Sequence, residues 1–397
     1  MEIKTGITYP DGFLVSGISC GIKKNKKKDL ALIYSTKPSV AGGCFTTNQF
    51  KSYSLLLTQK NIKNPIYAIL INSGNANTCN GEENWKYTNL IIQKLGEILK
   101  IPPSSILMGS TGIIGKVLPY EKIISSLNTL VKNLSDKNSK KAAEAIMTTD
   151  TRKKEAEINT GIKGRKKEVV IGGMAKGAGM IYPNMATMLA FLTTDAVISQ
   201  DALQMSLNEA IEDSFNMISI DNDQSTNDMV ICLANGVAGN KTIHLDTPDY
   251  FKFSNAMKKI CISLAKQIAS DGEGAKKFIE VKVKGAWCSK DARRVAKKVV
   301  GSNLVKSAIA GGWPNWGRIL SSIGSTNARI NQRNIEIKLC GIPVYKGNPL
   351  HFSEKKIRKL LTKKEIFIEI DLKRGNSEAT AWGCDLTEEY VKINRRE

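Results

Sequence analysis

Apolar and polar positions repeat at two different periods along this chain. The apolar run IYAILI (66–71) predicts a buried strand, and it leads straight into the polar turn NSGNANTCNG (72–81). FIEVKVKG (278–285) and EIFIEIDL (365–372) alternate as half-buried strands do. Helical spacing governs residues 83–99, where Leu90, Ile91, Leu95, Ile98 and Leu99 share a face. A second helix is predicted over about 121–134, with Ile123, Ile124, Leu127, Leu130, Val131 and Leu134 on one side. Further helices are expected from near Ser139, over about 201–215, and near 250–270, the last stopped by Gly272 and Gly274. Residues 1–80 read as short strands joined by Gly- and Asn-rich turns. Residues 168–198 hold two apolar strands, and MVICLAN (229–235) is another. Strands and helices are interspersed, which gives an α/β (α+β) fold class. We place a sub-domain boundary near residue 280.

The longest apolar stretches fall far short of the roughly 18–20 residues that a membrane-spanning helix needs. The opening MEIKTGITYPDG lacks the charged-then-apolar pattern of a signal peptide. The expectation is a cytoplasmic protein. The chain has 397 residues with 58 Lys and Arg against 37 Asp and Glu, a net charge of +21. Such a balance is compatible with nucleic-acid binding. Yet the lysines are spread in short runs such as KKNKKK (23–28) and GRKK (164–167), and aromatics make up only 6%. No stacking platform interleaves the runs, so the charge reads as a solvated surface.

Two histidines, His244 and His351, are present, both in polar, turn-like surroundings. A Ser-His-Asp or Cys-His site would need one of them. Acyl chemistry here would require a different base. The eight cysteines form no C-x-x-C pair and adjoin no histidine, which argues against zinc and for buried reduced thiols.

Two segments carry candidate chemistry. GSTGIIG (109–115) reads as a loop whose glycines, around Ser110 and Thr111, let backbone N–H groups converge on one spot, as a phosphate cradle or an oxyanion hole requires. It is not a P-loop, since no G-K-[ST] follows. AKGAGMIYPNMATML (175–189) is a run of small residues ahead of an apolar strand that opens at Thr187. Together with TTNQF (46–50), NSGNANTCNG, MTTDT (147–151), STND (225–228), SDGEGA (270–275), PNWGRI (314–319) and WGCDLTEEYVKIN (382–394), they span the whole chain. In order and spacing the sequence resembles the ornithine acetyltransferase family of arginine biosynthesis, the self-cleaving bifunctional glutamate N-acetyltransferases.

That resemblance implies a precursor that cuts itself between Ala186 and Thr187, giving an alpha chain of residues 1–186 and a beta chain of residues 187–397. It makes Thr187 the cleavage residue and the nucleophile, and Thr111 and Gly112 the oxyanion hole. It places substrate binding on Thr149, Lys176, Thr187, Glu273 and Asn394. It implies a layered sandwich of two sheets between helices, like that of self-processing aminopeptidases, with a smaller C-terminal part. It also implies a heterotetramer of two alpha and two beta chains. No metal and no cofactor are implied, and acetyl-CoA stays open as a second donor. The scarcity of histidine fits: the α-amine freed at Thr187 would have a pKa of about 7.7–8.0 and could act as the base.

The chain departs from the family pattern at three places. It ends Asn394-Arg395-Arg396-Glu397, without the terminal Thr or Ser that binds substrate in the family. Asp221-Asn222-Asp223-Gln224 stands where D-G-D-T is common, and Trp313 where Asp is common before P-N-W-G-R. The departures bear on affinity and specificity and leave the catalytic positions intact. The rival reading is a related self-processing aminopeptidase or amidohydrolase, with water as acceptor.

Overall fold

The computed structural model describes residues 4–24, 26–182 and 188–395, in two units. Of these, the first holds residues 4–24, 26–177, 188–212 and 224–264; the second holds 178–182, 213–223 and 265–395. The strands are β1 (Phe13–Ile18), β2 (Leu30–Phe45), β3 (Ile66–Asn75), β4 (Ile106–Ile113), β5 (Lys154–Lys163), β6 (Glu168–Lys176) and β7 (Leu189–Thr194). There follow β8 (Ile218–Ser219), β9 (Met229–Ala234), β10 (Phe278–Ala286), β11 (Glu336–Leu339), β12 (Ile342–Lys346), β13 (Glu365–Asp371) and β14 (Ser377–Cys384). The mixed α/β class expected from the sequence is what is found, with two sheets.

In the first unit the strand order is β4-β3-β2-β9-β7-β6-β5, with β1 paired to β2. β3, β7 and β9 carry long buried apolar runs because both faces are covered. Ala31, Ile33, Ile69, Ile71 and Phe191 belong to one buried cluster. Their neighbours Leu30, Leu32, Ala68 and Leu70 belong to another, with Ile91 and Leu95 of the helix Glu83–Leu99 and Ile123, Leu127 and Leu130 of the helix Tyr120–Lys132. Successive side chains point to opposite faces, so one strand feeds two cores. The helix Glu83–Leu99 makes the crossover that the parallel β3–β4 pair needs.

Three expectations are corrected. Residues 1–80 are not only short strands: β2 runs for 16 residues, and Tyr53–Asn61 is a helix capped by the Ser52 side chain. The β2–β3 register shifts between Tyr34 and Ser39, where residues 36–38 are exposed and Pro38 offers no N–H. Gly109 to Gly112 are not loop residues but the end of β4, paired to β3 as far as Ile113. The thiols are all free, but only Cys44, Cys232, Cys261 and Cys384 are buried, and Cys79 is exposed.

The second unit has the order β12-β11-β13-β10-β14-β8. Its strands alternate: Ile279, Val281 and Val283 are buried, as are Ile366, Ile368 and Ile370, while Lys282, Lys284 and Phe367 are exposed. The helix Ser289–Val300 packs on β10 and β14, burying Ala292, Val295, Ala296, Val299 and Val300 at helical spacing. Among the described residues no helix is long and apolar enough to cross a membrane.

Candidate functional site

Thr187 and Ala186, the expected nucleophile and cleavage site, lie outside the described residues. The other expected residues fall in two groups, one in each unit.

In the first unit, Ser73 faces Thr111 and Gly74 faces Gly112 across the parallel β3–β4 pair. The register then slips, and Asn75 faces both Thr111 and Ile113. Gly112 has φ +133, and a Cβ there would overlap the backbone of Gly74 and Asn75. Only glycine fits this approach. A buried polar chain fixes the strand ends. Asn77 Nδ2 donates to Ser54 Oγ (3.0 Å), and Ser110 Oγ donates to Asn72 Oδ1 (2.6 Å). Ser54 and Ser110 Oγ are 2.5 Å apart. A hydroxyl has one proton, so Ser54 donates to Ser110 and the chain runs in one direction. Asn227 Nδ2 closes it, donating to Ser110 O (2.8 Å) and Ala76 O (2.5 Å). The asparagines of NSGNAN thus serve as internal braces for the segment that ends in Thr111 and Gly112.

Lys176 ends β6 and is only 7% exposed, which excludes the surface-charge reading of that lysine. Its Nζ donates to Thr111 Oγ1 at 3.4 Å, joining an expected substrate-binding residue to an expected oxyanion residue. Thr149 is half-buried in the turn before β5. Its neighbour Asp150 accepts from Lys154 Nζ (2.6 Å) and Gly177 N (2.7 Å) on Oδ1, and from Thr148 N (2.9 Å) on Oδ2. Burial opposes ionisation of Asp150, but the Lys176 and Lys154 charges and the Gly177 N–H bond bring its pKa down to about 2. Lys23 faces the same cluster. Burial, with the charge of Lys176 adding to it and Asp29 and Asp150 opposing, lowers its pKa to about 8.

Asp228 is 2% exposed, and its Oδ2 has no partner among the described residues. It directly precedes β9, whose first residue Met229 donates from N to Met188 O (3.0 Å). Burial raises the Asp228 pKa well above the ordinary carboxyl value, against the opposing pull of Ser225 and Lys176. The carboxyl is held toward its neutral form.

In the second unit, Asn394 closes the helix Glu388–Asn394 and donates from Nδ2 to Glu273 Oε2 (2.7 Å) and Tyr390 O (3.0 Å). Glu273 is nearly buried, and its N donates to Ala178 O (2.8 Å). At Gly179 a Cβ would overlap the Glu273 carboxylate, so the 178–182 segment can pass only as glycine there. Asp221 accepts from Met180 N (2.6 Å), Ile181 N (2.8 Å) and Tyr390 Oη (3.4 Å). Burial and the Asp221 charge push the Tyr390 phenol upward.

Asn222, where glycine is common in the resembling family, has φ +69. Asparagine is the other residue that adopts this conformation readily, and its Nδ2 donates to Gly301 O (2.6 Å). Trp313 carries the Arg318 guanidinium over its ring at 5.6 Å.

The structure therefore brings Thr111, Gly112, Lys176 and the Thr149 turn together, and separately pairs Glu273 with Asn394. Sequence reasoning gave no role to Asp150, Lys154, Lys23, Asp221, Asp228 or Tyr390. Asp150 and Asp228 lie inside the MTTDT and STND segments, the one available signal.

Residues 14–396 match the ArgJ family. The chain is 45% identical over 394 residues to the arginine biosynthesis bifunctional protein ArgJ 1 of Clostridium acetobutylicum, covering 98% of this chain and 96% of that one. It is 45% identical over 395 residues to the ArgJ protein of Thermotoga neapolitana, covering 98% of each. Among solved structures, the arginine biosynthesis bifunctional protein ArgJ of Bacillus halodurans is 46% identical with a TM-score of 0.52, covering 53% of this chain and 100% of that chain.

Proposed function

The chain belongs to the ArgJ family, and from that premise we propose that it is a glutamate N-acetyltransferase of arginine biosynthesis, moving an acetyl group from N2-acetyl-L-ornithine to L-glutamate through an acetyl-Thr187 intermediate. The relatives' names, arginine biosynthesis bifunctional proteins, support the pathway. The observation that carries the reading is the end of β4, where Thr111 and Gly112 meet Lys176 Nζ at 3.4 Å from Thr111 Oγ1. Donors fixed by sheet register suit a developing oxyanion, because they need no reorganisation when charge appears.

Thr187 Oγ first attacks the Ala186 carbonyl. The Ala186–Thr187 amide breaks, an ester forms, and water hydrolyses it to an Ala186 carboxylate and a free Thr187 α-amine. That amine then takes the hydroxyl proton as Thr187 attacks the acetyl carbonyl of acetylornithine, and ornithine leaves as its amine. The amine of glutamate attacks the acetyl ester and restores the enzyme. Thr111 and Gly112 stabilise the oxyanion of each step. Lys176, with Thr149 beside it, suits the substrate carboxylate, and Glu273 with Asn394 suits the amino group. The reaction needs no metal or cofactor, and acetyl-CoA enters only as a second donor. The two products of cleavage, residues 1–186 and 187–397, stay together as two copies of each in the cytoplasm. In support, the solved Bacillus halodurans chain aligns over its whole length to only 53% of this one.

A denaturing gel should show two polypeptides of roughly 20 and 23 kDa, the larger starting TMLAFL. Thr187→Ala should give an uncut, folded chain without acetyl transfer, while Thr187→Ser still cuts and retains reduced activity. A fully active intact chain, or an active Thr187→Ala enzyme, sinks the mechanism. Acetylornithine hydrolysis without acetylation of glutamate would make the protein an amidohydrolase instead.

A further inference from the structure

We propose that Asp150 is a positioning residue for substrate binding, holding Lys176 and the Thr149 turn in one fixed relation. The inference rests on the acetyltransferase reading and assigns a role to a residue that the reading leaves idle. One carboxylate ties three pieces of chain. Its Oδ2 takes the Thr148 N–H at 2.9 Å and so fixes the turn that carries Thr149. Its Oδ1 takes the Gly177 N–H at 2.7 Å, one residue beyond Lys176. The same oxygen takes the Lys154 ammonium at 2.6 Å, at the start of β5, where Lys154 pairs in register with Ala175 of β6.

Both side chains of this ion pair are fully buried. A buried ion pair is a poor source of stability: replacing both charges by apolar groups is often neutral or stabilising, whereas removing one partner strands the other. The arrangement makes sense as geometry. A carboxylate with two backbone N–H groups and an ammonium on it has one orientation. The Lys176 charge is a main influence holding that carboxylate ionised. The attraction is mutual, so Asp150 draws the Lys176 ammonium toward the end of β6, where it reaches Thr111.

The experiment compares Lys154→Met with the double variant Asp150→Asn/Lys154→Met in the acetylornithine-plus-glutamate assay, with self-cleavage scored on a gel. Lys154→Met leaves Asp150 with both N–H groups and Lys176, and its Michaelis constants should stay within about threefold of wild type. The double variant carries no stranded charge at the pair. It should fold and cut itself, but raise the Michaelis constants for donor and acceptor about tenfold or more, with the turnover number changed by less than about threefold. Equal Michaelis constants in the two variants, or a loss confined to turnover, would overturn the proposal. Asp150→Asn alone is read in the same way if the double variant does not fold. Failure of both to fold assigns the pair to stability and also overturns it. Wild type run in parallel separates the two ideas: no acetyl transfer by wild type defeats the functional reading, while transfer with an unaltered double variant defeats only the role of Asp150.

Discussion

The two groups of expected site residues are anchored by different means. Thr111, Gly112 and Lys176 stand at the ends of β4 and β6, where sheet register and a buried polar chain through Asn77, Ser54, Ser110 and Asn72 leave them one position each. Glu273 and Asn394 stand on a turn and on the last residue of a seven-residue helix, joined by one side-chain bond. That helix buries none of its residues, and a helix this short draws its stability from packing and not from propensity. Within the first group, Thr111 and Gly112 are suited to meeting a transition state, which rewards fixed donors. The second is suited to admitting and releasing an amino acid.

The largest effect is expected from removing one of the fixed oxyanion residues. Thr111→Ala should lower the turnover number by roughly 10–10³ and leave the Michaelis constants much less changed. Steady-state kinetics on fully self-cleaved enzyme make the check, since cleavage passes through an oxyanion of the same kind. A normal turnover with a raised Michaelis constant would move Thr111 into the binding group and erase the contrast.

The adjustable group should show the opposite signature on a smaller scale. Asn394→Ala deletes the bonds to Glu273 Oε2 and Tyr390 O and no strand contact. The Michaelis constants should rise about 3–10-fold with turnover nearly unchanged, within the net range of an ordinary hydrogen bond, about 0.5–1.5 kcal/mol. A loss in turnover equal to that of Thr111→Ala would show that the two groups act alike.

The same contrast explains what could be seen in the sequence. The second unit's sheet was legible at β10 and β13 because one face is buried: Ile279, Val281 and Val283 alternate with Glu280 and Lys282, and Ile366, Ile368 and Ile370 with the exposed Phe367 and with Glu369. In the first unit β3 was legible as a buried run. Its neighbour β2 was not, because Ser35-Thr36-Lys37-Pro38 and Gly42-Gly43 look like turn chemistry. In the fold the Ser35–Lys37 and Ser39–Ser35 bonds close a register shift, and Gln204 of the helix Gln200–Glu212 brackets Gly43 with two bonds. Gly109 and Gly112 of GSTGIIG mislead in the same way, since they look like loop residues and belong to close-packed strand. The helix Ser289–Val300 passed unread although its apolar positions are regular, since KDARRVAKK is dominated by charge. At the site, the resemblance located Thr111, Gly112 and Lys176. Asp150 and Asp228 differ from the other acidic residues only in what surrounds them, and that is written in three dimensions.

Asp150 and Asp228 also turn the comparison inward, because both are buried carboxyls of the first unit with opposite environments. Asp150 meets two N–H groups and an ammonium, and its pKa falls to about 2. Asp228 has an oxygen with no partner among the described residues, and its pKa rises. Linkage gives the two opposite signs. A group with a depressed folded pKa contributes stability that is present above its unfolded value of roughly 4 and fades as pH falls toward about 2. A group with a raised folded pKa contributes most below the unfolded value, and that contribution is lost as pH rises through the folded pKa. Asp228 therefore weighs against the native state at neutral pH, where the unfolded chain would ionise it freely. Asp228→Asn keeps the shape and removes the titration. Its melting temperature relative to wild type should be higher at pH 7.5 than at pH 4 by a few degrees, corresponding to about 1–3 kcal/mol. Thermal melts of the two proteins across that range make the test. A difference that does not change with pH would mean that Asp228 titrates as an ordinary carboxyl, and the two buried acids would then differ in partners but not in charge.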